Sequence, residues 1–217
     1  AQGLYNPSNE KDSCGVGMIA DIGGVSSRYI IESALQILEN IDHRGARGCE
    51  QDTGDGAGIL CAMPDKFLRR VSAELDVNLP ELRKYAVGNL FLDESENGVR
   101  EGKRIFEAQC AAIPGLKFLV WRRVPVYSDC LGKTARGCEP VIEQAFIQGE
   151  GVLAQDPKKF EAALFVLRKK AANKAASSLG LPFYVCSLSN RVLNYKGMLT
   201  CPGLLRYFPD LQEEDFE

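Results

Sequence analysis

Asp12-Ser13-Cys14-Gly15-Val16-Gly17-Met18-Ile19-Ala20-Asp21-Ile22 places a cysteine between a polar, turn-prone leader and an apolar run that reads as a buried strand. Gly23-Gly24 follows as a strong turn signal. The position of Cys14 acquires a chemical meaning if residues 1–13 are removed. One residue then carries both a thiol and a free α-amine, a nucleophile and a base in contact by construction. Such an amine titrates near about 7.7–8.0 and a thiol near about 8.5, so a proton passes between them at low cost at neutral pH. The plainer reading is that Cys14 is one of several half-buried cysteines in an ordinary strand.

Outward from that stretch, composition narrows the classes. A length of 217 residues predicts one or two domains with a sizeable core. A net charge of −3 with interspersed signs argues against a nucleic-acid groove or an anionic membrane surface, both of which need a basic face. The longest apolar run, Ala57 to Met63, is far short of a membrane span. Residues 1–13 have neither the basic start nor the apolar centre of a secretory signal, so the chain is not expected to be secreted. They do not begin with Met either, and the expectation is a chain processed at its start or cut from something longer. The eight cysteines are dispersed, as reduced thiols are. One histidine, His43, and no Cys-x-x-Cys spacing argue against a zinc site, so no metal is expected.

Tyr29 to Ile41 carries apolar residues at helical spacing and reads as an amphipathic helix. It runs into His43-Arg44-Gly45 and a loop rich in Gly and Asp up to Gly58. Strands are predicted over Ala57–Met63, Tyr85–Leu92, Leu116–Val126 and Val141–Gln148. Helices are predicted over Asp65–Val77 (with Asp65 as N-cap), Val99–Ala112 and Lys158–Leu179. Asn97-Gly98 reads as a turn. Phe183–Leu188 and Val192–Tyr195 read as a hairpin through Ser189-Asn190-Arg191, followed by a short helix (Pro202–Tyr207) and an acidic stretch, Asp210–Glu217. Adjacent strands with helices between groups favour an α+β arrangement.

Three apparent signals fail on inspection. Gly15-Val16-Gly17-Met18-Ile19-Ala20 has the letters of a dinucleotide fingerprint but neither a preceding strand nor a following helix. Glu50, Asp52 and Asp55 crowd a loop, yet an EF-hand register would need ligands at Gly54 and Cys61. Arg122-Arg123 and Lys169-Lys170 read most simply as solvated positions, and Trp121 as core.

Cys14-Gly15-Val16-Gly17, His43-Arg44-Gly45-Ala46, Asp52-Thr53-Gly54-Asp55-Gly56-Ala57-Gly58-Ile59 and, later, Ser187-Leu188-Ser189-Asn190-Arg191 with Tyr195-Lys196-Gly197-Met198-Leu199-Thr200 occur in one colinear order. Together with the leader Gly3-Leu4-Tyr5-Asn6-Pro7, they closely resemble the class II glutamine amidotransferase domain that opens glutamate synthase large chains. The resemblance implies an N-terminal-nucleophile hydrolase fold, a four-layer αββα sandwich incomplete in this chain. It implies a propeptide, residues 1–13, cleaved between Ser13 and Cys14, with residues 14–217 as the front part of the domain. Cys14 is then the nucleophile towards the side-chain amide of L-glutamine, with its own α-amine as base; a γ-glutamyl thioester forms, ammonia leaves, and water releases glutamate.

Arg44 and Gly45 match the family's Arg-Gly motif beside the nucleophile, as substrate-binding or site-supporting residues. An ion pair of Arg44 with Asp52 or Asp55 is the other reading, and both stand. Gly45, Gly54, Gly56 and Gly58 read as backbone clearance in a loop packed under the site. The family's oxyanion-hole Asn-Gly and its His-Ser-Arg-type carboxylate clamp have no counterpart in these 217 residues. The isolated stretch is therefore expected to be a poor glutaminase, since one oxyanion donor is worth about 2.7–4 kcal/mol. No cofactor is expected in this chain. For the full-length enzyme the resemblance implies FMN and an iron–sulfur cluster, with ferredoxin or NAD(P)H as electron donor and 2-oxoglutarate as ammonia acceptor. The partners it implies are glutamine and the remaining synthase domains of the same polypeptide, in cytoplasm or plastid stroma. A class II amidotransferase segment serving another acceptor, such as a sugar phosphate or aspartate, and an unprocessed docking module are the alternatives.

Overall fold

A computed structural model describes residues 14–45, 50 and 52–217. Its centre is β2 (Tyr85–Leu92), an eight-residue strand with seven positions buried. β4 (Val141–Gly149) lies antiparallel to it from Tyr85↔Gln148 to Leu92↔Val141. β3 (Leu116–Arg123) pairs on the far side of β4, with a bulge between Phe118 and Val120. The short β5 (Phe183–Val185) pairs on the far side of β2, giving the order β3-β4-β2-β5. A second, two-stranded antiparallel sheet joins β1 (Ala57–Ala62) to β6 (Val192–Gly197).

Both faces of the larger sheet are covered, which is why β2 and β4 read as near-continuous apolar runs. On one face Ala86, Leu90 and Leu92 of β2 and Val141, Ala145 and Ile147 of β4 pack against two helices. These are α3 (Glu96–Ala111), through Phe106 and Cys110, and α6 (Pro157–Ser178), through Phe160, Leu164, Leu167 and Ala171. On the other face Tyr85, Val87, Ile142 and Phe146 share a core with Ile59 and Cys61 of β1 and Leu193 and Tyr195 of β6. That core also takes in α1 (Arg28–Asn40), α2 (Asp65–Ala73) and α7 (Cys201–Tyr207), together with Phe208, Leu211 and Phe216. The short helices α4 (Lys133–Arg136) and α5 (Val152–Gln155) complete a mixed helix-and-sheet fold with antiparallel pairing throughout.

Several local expectations are corrected. Phe183–Leu188 and Val192–Tyr195 do not form a hairpin. The chain leaving β5 continues along β2, where Val87 and Ser189 exchange backbone hydrogen bonds of 3.1 and 3.2 Å, and only then turns onto β1. The Gly15–Ile22 run is not a buried strand: Val16 and Met18 are 88% and 89% exposed, and among the described residues no strand pairs with it. Gly23-Gly24 does turn, closed by Gly24 N–H donating to Asp21 O. Asn97-Gly98 lies inside the first turn of α3 because Ser95 caps that helix earlier, its Oγ accepting from Gly98 N–H at 3.0 Å. Asp65 is the first helical residue of α2, its carboxylate taken by Arg69 and the Tyr85 hydroxyl. Arg122 is not solvated but paired with buried Asp210. The acidic stretch from Asp210 packs onto the core through Leu211 and Phe216, both fully buried. No helix among the described residues is long and apolar enough to cross a membrane.

Candidate active site

Cys14 is exposed and leads into an extended segment that lies along α1. The contact is intimate at Gly17, where an added Cβ would stand 2.0 Å from Ile37 Cγ2. At its other end the segment closes on the Asp21 turn, whose carboxylate also accepts from Val25 N–H at 3.0 Å. α1 thus backs the segment that follows Cys14, with Ile31 and Leu35 sunk into the core.

α1 ends at Asn40, whose carbonyl contacts His43 Nδ1 at 3.1 Å, and the chain makes a 3-10 turn over Asp42–Arg44 closed by Gly45 N–H on Asp42 O. The Arg44 backbone belongs to that turn; its side chain, and the ion pair expected with Asp52 or Asp55, lie outside what the structure describes. Asp42 and Gly45 line a small cavity with Asp55 and Gly56 and with Leu199, Thr200 and Cys201. Three sequence motifs spread over some 150 residues therefore meet at one point. The cavity, about 10 Å³, has room for a single water. Cys14 is not part of its lining.

Gly54 and Gly58 of the second motif are there for close approach, whereas Gly56 takes a positive φ of 136°. A Cβ on Gly54 would sit 2.7 Å from Leu199 O, and one on Gly58 2.7 Å from Lys196 Cβ. Gly45 is different: among the described residues its added Cβ would meet only Asp42 O, at 3.4 Å. The loop is pinned at Glu50, which accepts from Thr134 N–H at 3.0 Å and from the Thr134 hydroxyl at 2.9 Å. Those hydrogen bonds, the backbone one foremost, hold the Glu50 carboxyl below its ordinary range.

Burial separates the thiols. Cys61 is pushed up to about 12 and Cys110 and Cys186 to about 11, desolvation being the first cause in each. Cys201 is raised by partial burial and then by Asp42, to which its thiol is hydrogen-bonded. Among the described cysteines only Cys14 and Cys138 are exposed. No group of three His, Cys, Asp or Glu side chains among the described residues is arranged to hold a metal ion.

The family profile for glutamine amidotransferases class-II matches residues 14–217, beginning at Cys14 itself. The chain belongs to this family. Its relatives include the glutamate synthase [NADPH] large chain of Bacillus subtilis, 40% identical over the whole of this chain and 14% of that protein. The glutamate synthase [NADH] of Saccharomyces cerevisiae is 39% identical, again over the whole chain and 10% of the relative. The ferredoxin-dependent glutamate synthase 1 of Arabidopsis thaliana is 34% identical over 96% of this chain and 13% of its own length. The chain thus spans between a tenth and a seventh of these curated relatives.

For a class-II amidotransferase domain, the motifs located Cys14 and the loop glycines. What they missed is a buried polar network between the two sheets. Gln144 Nε2 donates to Asn89 Oδ1 (3.0 Å) and to Tyr195 Oη (3.3 Å), Tyr195 donates to Asp210 (2.7 Å), and Arg122 closes the set. Gln144 and Asn89 are polar letters in otherwise apolar strands, the one local signal that could have marked it.

Proposed function

We propose that this chain is the glutaminase part of a glutamate synthase, with Cys14 as its nucleophile. The observation that carries the reading is the coincidence of an exposed Cys14, at the point where the family match begins, with a segment packed on α1 at Gly17. Once Ser13–Cys14 is cleaved, the freed α-amine accepts the thiol proton as sulfur attacks the side-chain carbonyl carbon of L-glutamine. The same amine returns the proton to the departing nitrogen, so ammonia leaves and a γ-glutamyl thioester remains. Water then adds to the thioester, glutamate departs and the thiol is restored. Arg44 and Gly45, on the turn after α1, support the site or the substrate, Arg44 through its charge.

The ammonia is transferred reductively to 2-oxoglutarate in other domains of the same polypeptide. The named relatives differ in donor, NADPH, NADH or ferredoxin, so this chain's donor is left within that set. The FMN and iron–sulfur cluster that the resemblance implies are assigned to those other domains. We read the fold as part of an αββα sandwich. The cover of α3 and α6 on one face of the larger sheet, and of β1 and β6 with α1, α2 and α7 on the other, supports that layering.

The test is the N-terminal residue of the glutamine-consuming enzyme, determined by intact-mass analysis, followed by trapping with an electrophilic glutamine analogue. Cys14 is expected first in the chain and modified. A working enzyme that retains residues 1–13 covalently attached sinks the proposal.

A further inference from the structure

The segment Phe208–Glu217 straps three parts of the molecule together. Phe216 is fully buried, edge-on to Phe67 of α2 at 5.2 Å and to Tyr195 of β6 at 5.7 Å. Arg70 of α2 holds Asp215 through two hydrogen bonds (2.7 and 3.0 Å) and Glu213 through a third (2.8 Å). Against this fixed strap stands the first residue of α1: Arg28 Nη1 donates to the backbone carbonyl of Glu213 at 2.8 Å, while its Nε donates to Glu32 at 3.2 Å. The contact matters because α1 has no side-chain cap at Ser27. Ile31 and Leu35 set how deep the helix lies, and Arg28 adds a hydrogen bond from its first residue to the strap.

The Cys14 segment runs back along this helix, joined to its start through the Asp21–Val25 turn and touching it again at Ile37, nine residues or about 14 Å further on. Any tilt of α1 about its buried middle therefore moves Cys14. We propose that Arg28 is a positioning residue for Cys14, acting through α1 from the Glu213 carbonyl. The inference rests on the reading of Cys14 as the glutaminase nucleophile.

The experiment compares two rates in the processed full-length synthase: covalent trapping of Cys14 by an electrophilic glutamine analogue, and its alkylation by iodoacetamide. Trapping needs the sulfur placed against a bound glutamine skeleton; alkylation needs only an exposed thiol. In Arg28→Met, trapping is expected to fall about tenfold while alkylation changes less than about twofold, because misplacement costs rate only where geometry is required. Arg28→Lys, whose ammonium can serve a single carbonyl, is expected to restore most of the trapping rate. Glu32→Ala, which removes the other partner of Arg28, is expected to leave the ratio of rates as it was. If Arg28→Met does not accumulate, Arg28→Gln is measured in its place with the same expectation. An unchanged ratio, or both rates falling in parallel, overturns the proposal. The reading beneath it fails separately, if Cys14→Ala still consumes glutamine.

Discussion

Arg122 grips Asp210 through two parallel hydrogen bonds, Nη1 to Oδ2 and Nη2 to Oδ1, each of 2.8 Å, with the two side chains only 12% and 3% exposed. The pair sits where β3, β4, β6 and the strap after Phe208 meet, and Tyr195 and Gln144 complete its hydrogen bonding. Removing one partner strands a charge in the interior. Arg122→Met and Asp210→Asn are each expected to lower unfolding free energy by about 3–5 kcal/mol. The double variant is expected to lose less than the sum. Urea titrations of the four proteins check both statements.

The approach of Gly54 and Gly58 to the Leu199–Tyr195 backbone gives a second expectation. Gly58→Ala puts a methyl 2.7 Å from Lys196 Cβ and 3.0 Å from Tyr195 O, and Gly54→Ala one 2.7 Å from Leu199 O. Strands β1 and β6 must then separate locally, at a cost of about 1–3 kcal/mol each. Gly45→Ala, which meets only ordinary contact, is expected to stay within about 0.5 kcal/mol of the parent. Thermal melts distinguish the two classes.

Gly17 offers a reciprocal pair. Gly17→Ala collides with Ile37 Cγ2 and is expected to displace the Cys14 segment, lowering glutamine turnover at least tenfold. Ile37→Ala on the same chain removes the colliding methyl and is expected to return much of the loss. Steady-state glutaminase rates of the single and double variants decide it; equal defects in both would show that Gly17 does not act through Ile37.

Raised thiol values dictate an alkaline limit. Cys61, Cys110 and Cys186 hold their protons to about 12, 11 and 11 in the folded chain, against an ordinary 9.0. Below pH 9 both states keep these protons and the stability is intact. Above it the unfolded chain sheds them first, so stability falls as pH rises from 9 towards 11–12. Melting temperature is expected to drop over that window, and Cys61→Val to make the drop shallower. In native protein at pH 7, alkylation mapped by peptide mass is expected to mark Cys14 and Cys138 while sparing Cys61, Cys110 and Cys186.

How far the sequence carried the fold depended on whether its signals were local. β2 and β4 were legible because burial on both faces leaves a mostly apolar run, broken by Asn89 in β2 and by Glu143, Gln144 and Gln148 in β4. α6 was placed to within a residue at each end, and in the fold Asp156 caps it by accepting from two backbone N–H groups. The failures were questions of partner. Ser189-Asn190-Arg191 does change the chain's direction, but nothing in those letters says that the next strand joins a different sheet. Arg122 looked solvated because Asp210 lies 88 positions away. The apolar run after Cys14 looked buried because alternation reports a face without reporting whether anything covers it. In the proposed site, Cys14 and the glycines of 54–58 could be named from motifs, whereas Arg28 and Glu213 meet through tertiary packing and carry no local mark.

The smaller sheet has a consequence for how the chain is made. Ala62 faces Val192 across β1 and β6, so residues 130 positions apart must both exist before the first rung of that ladder closes. A ribosome adds about 5–20 residues each second, which leaves the inner edge of β1 without its mate for many seconds of synthesis. During that interval the apolar side of β1, Ile59 and Cys61 foremost, is open to whatever chaperone or neighbour reaches it, and α1, whose Ile31 and Leu35 share that core, waits on the same late closure.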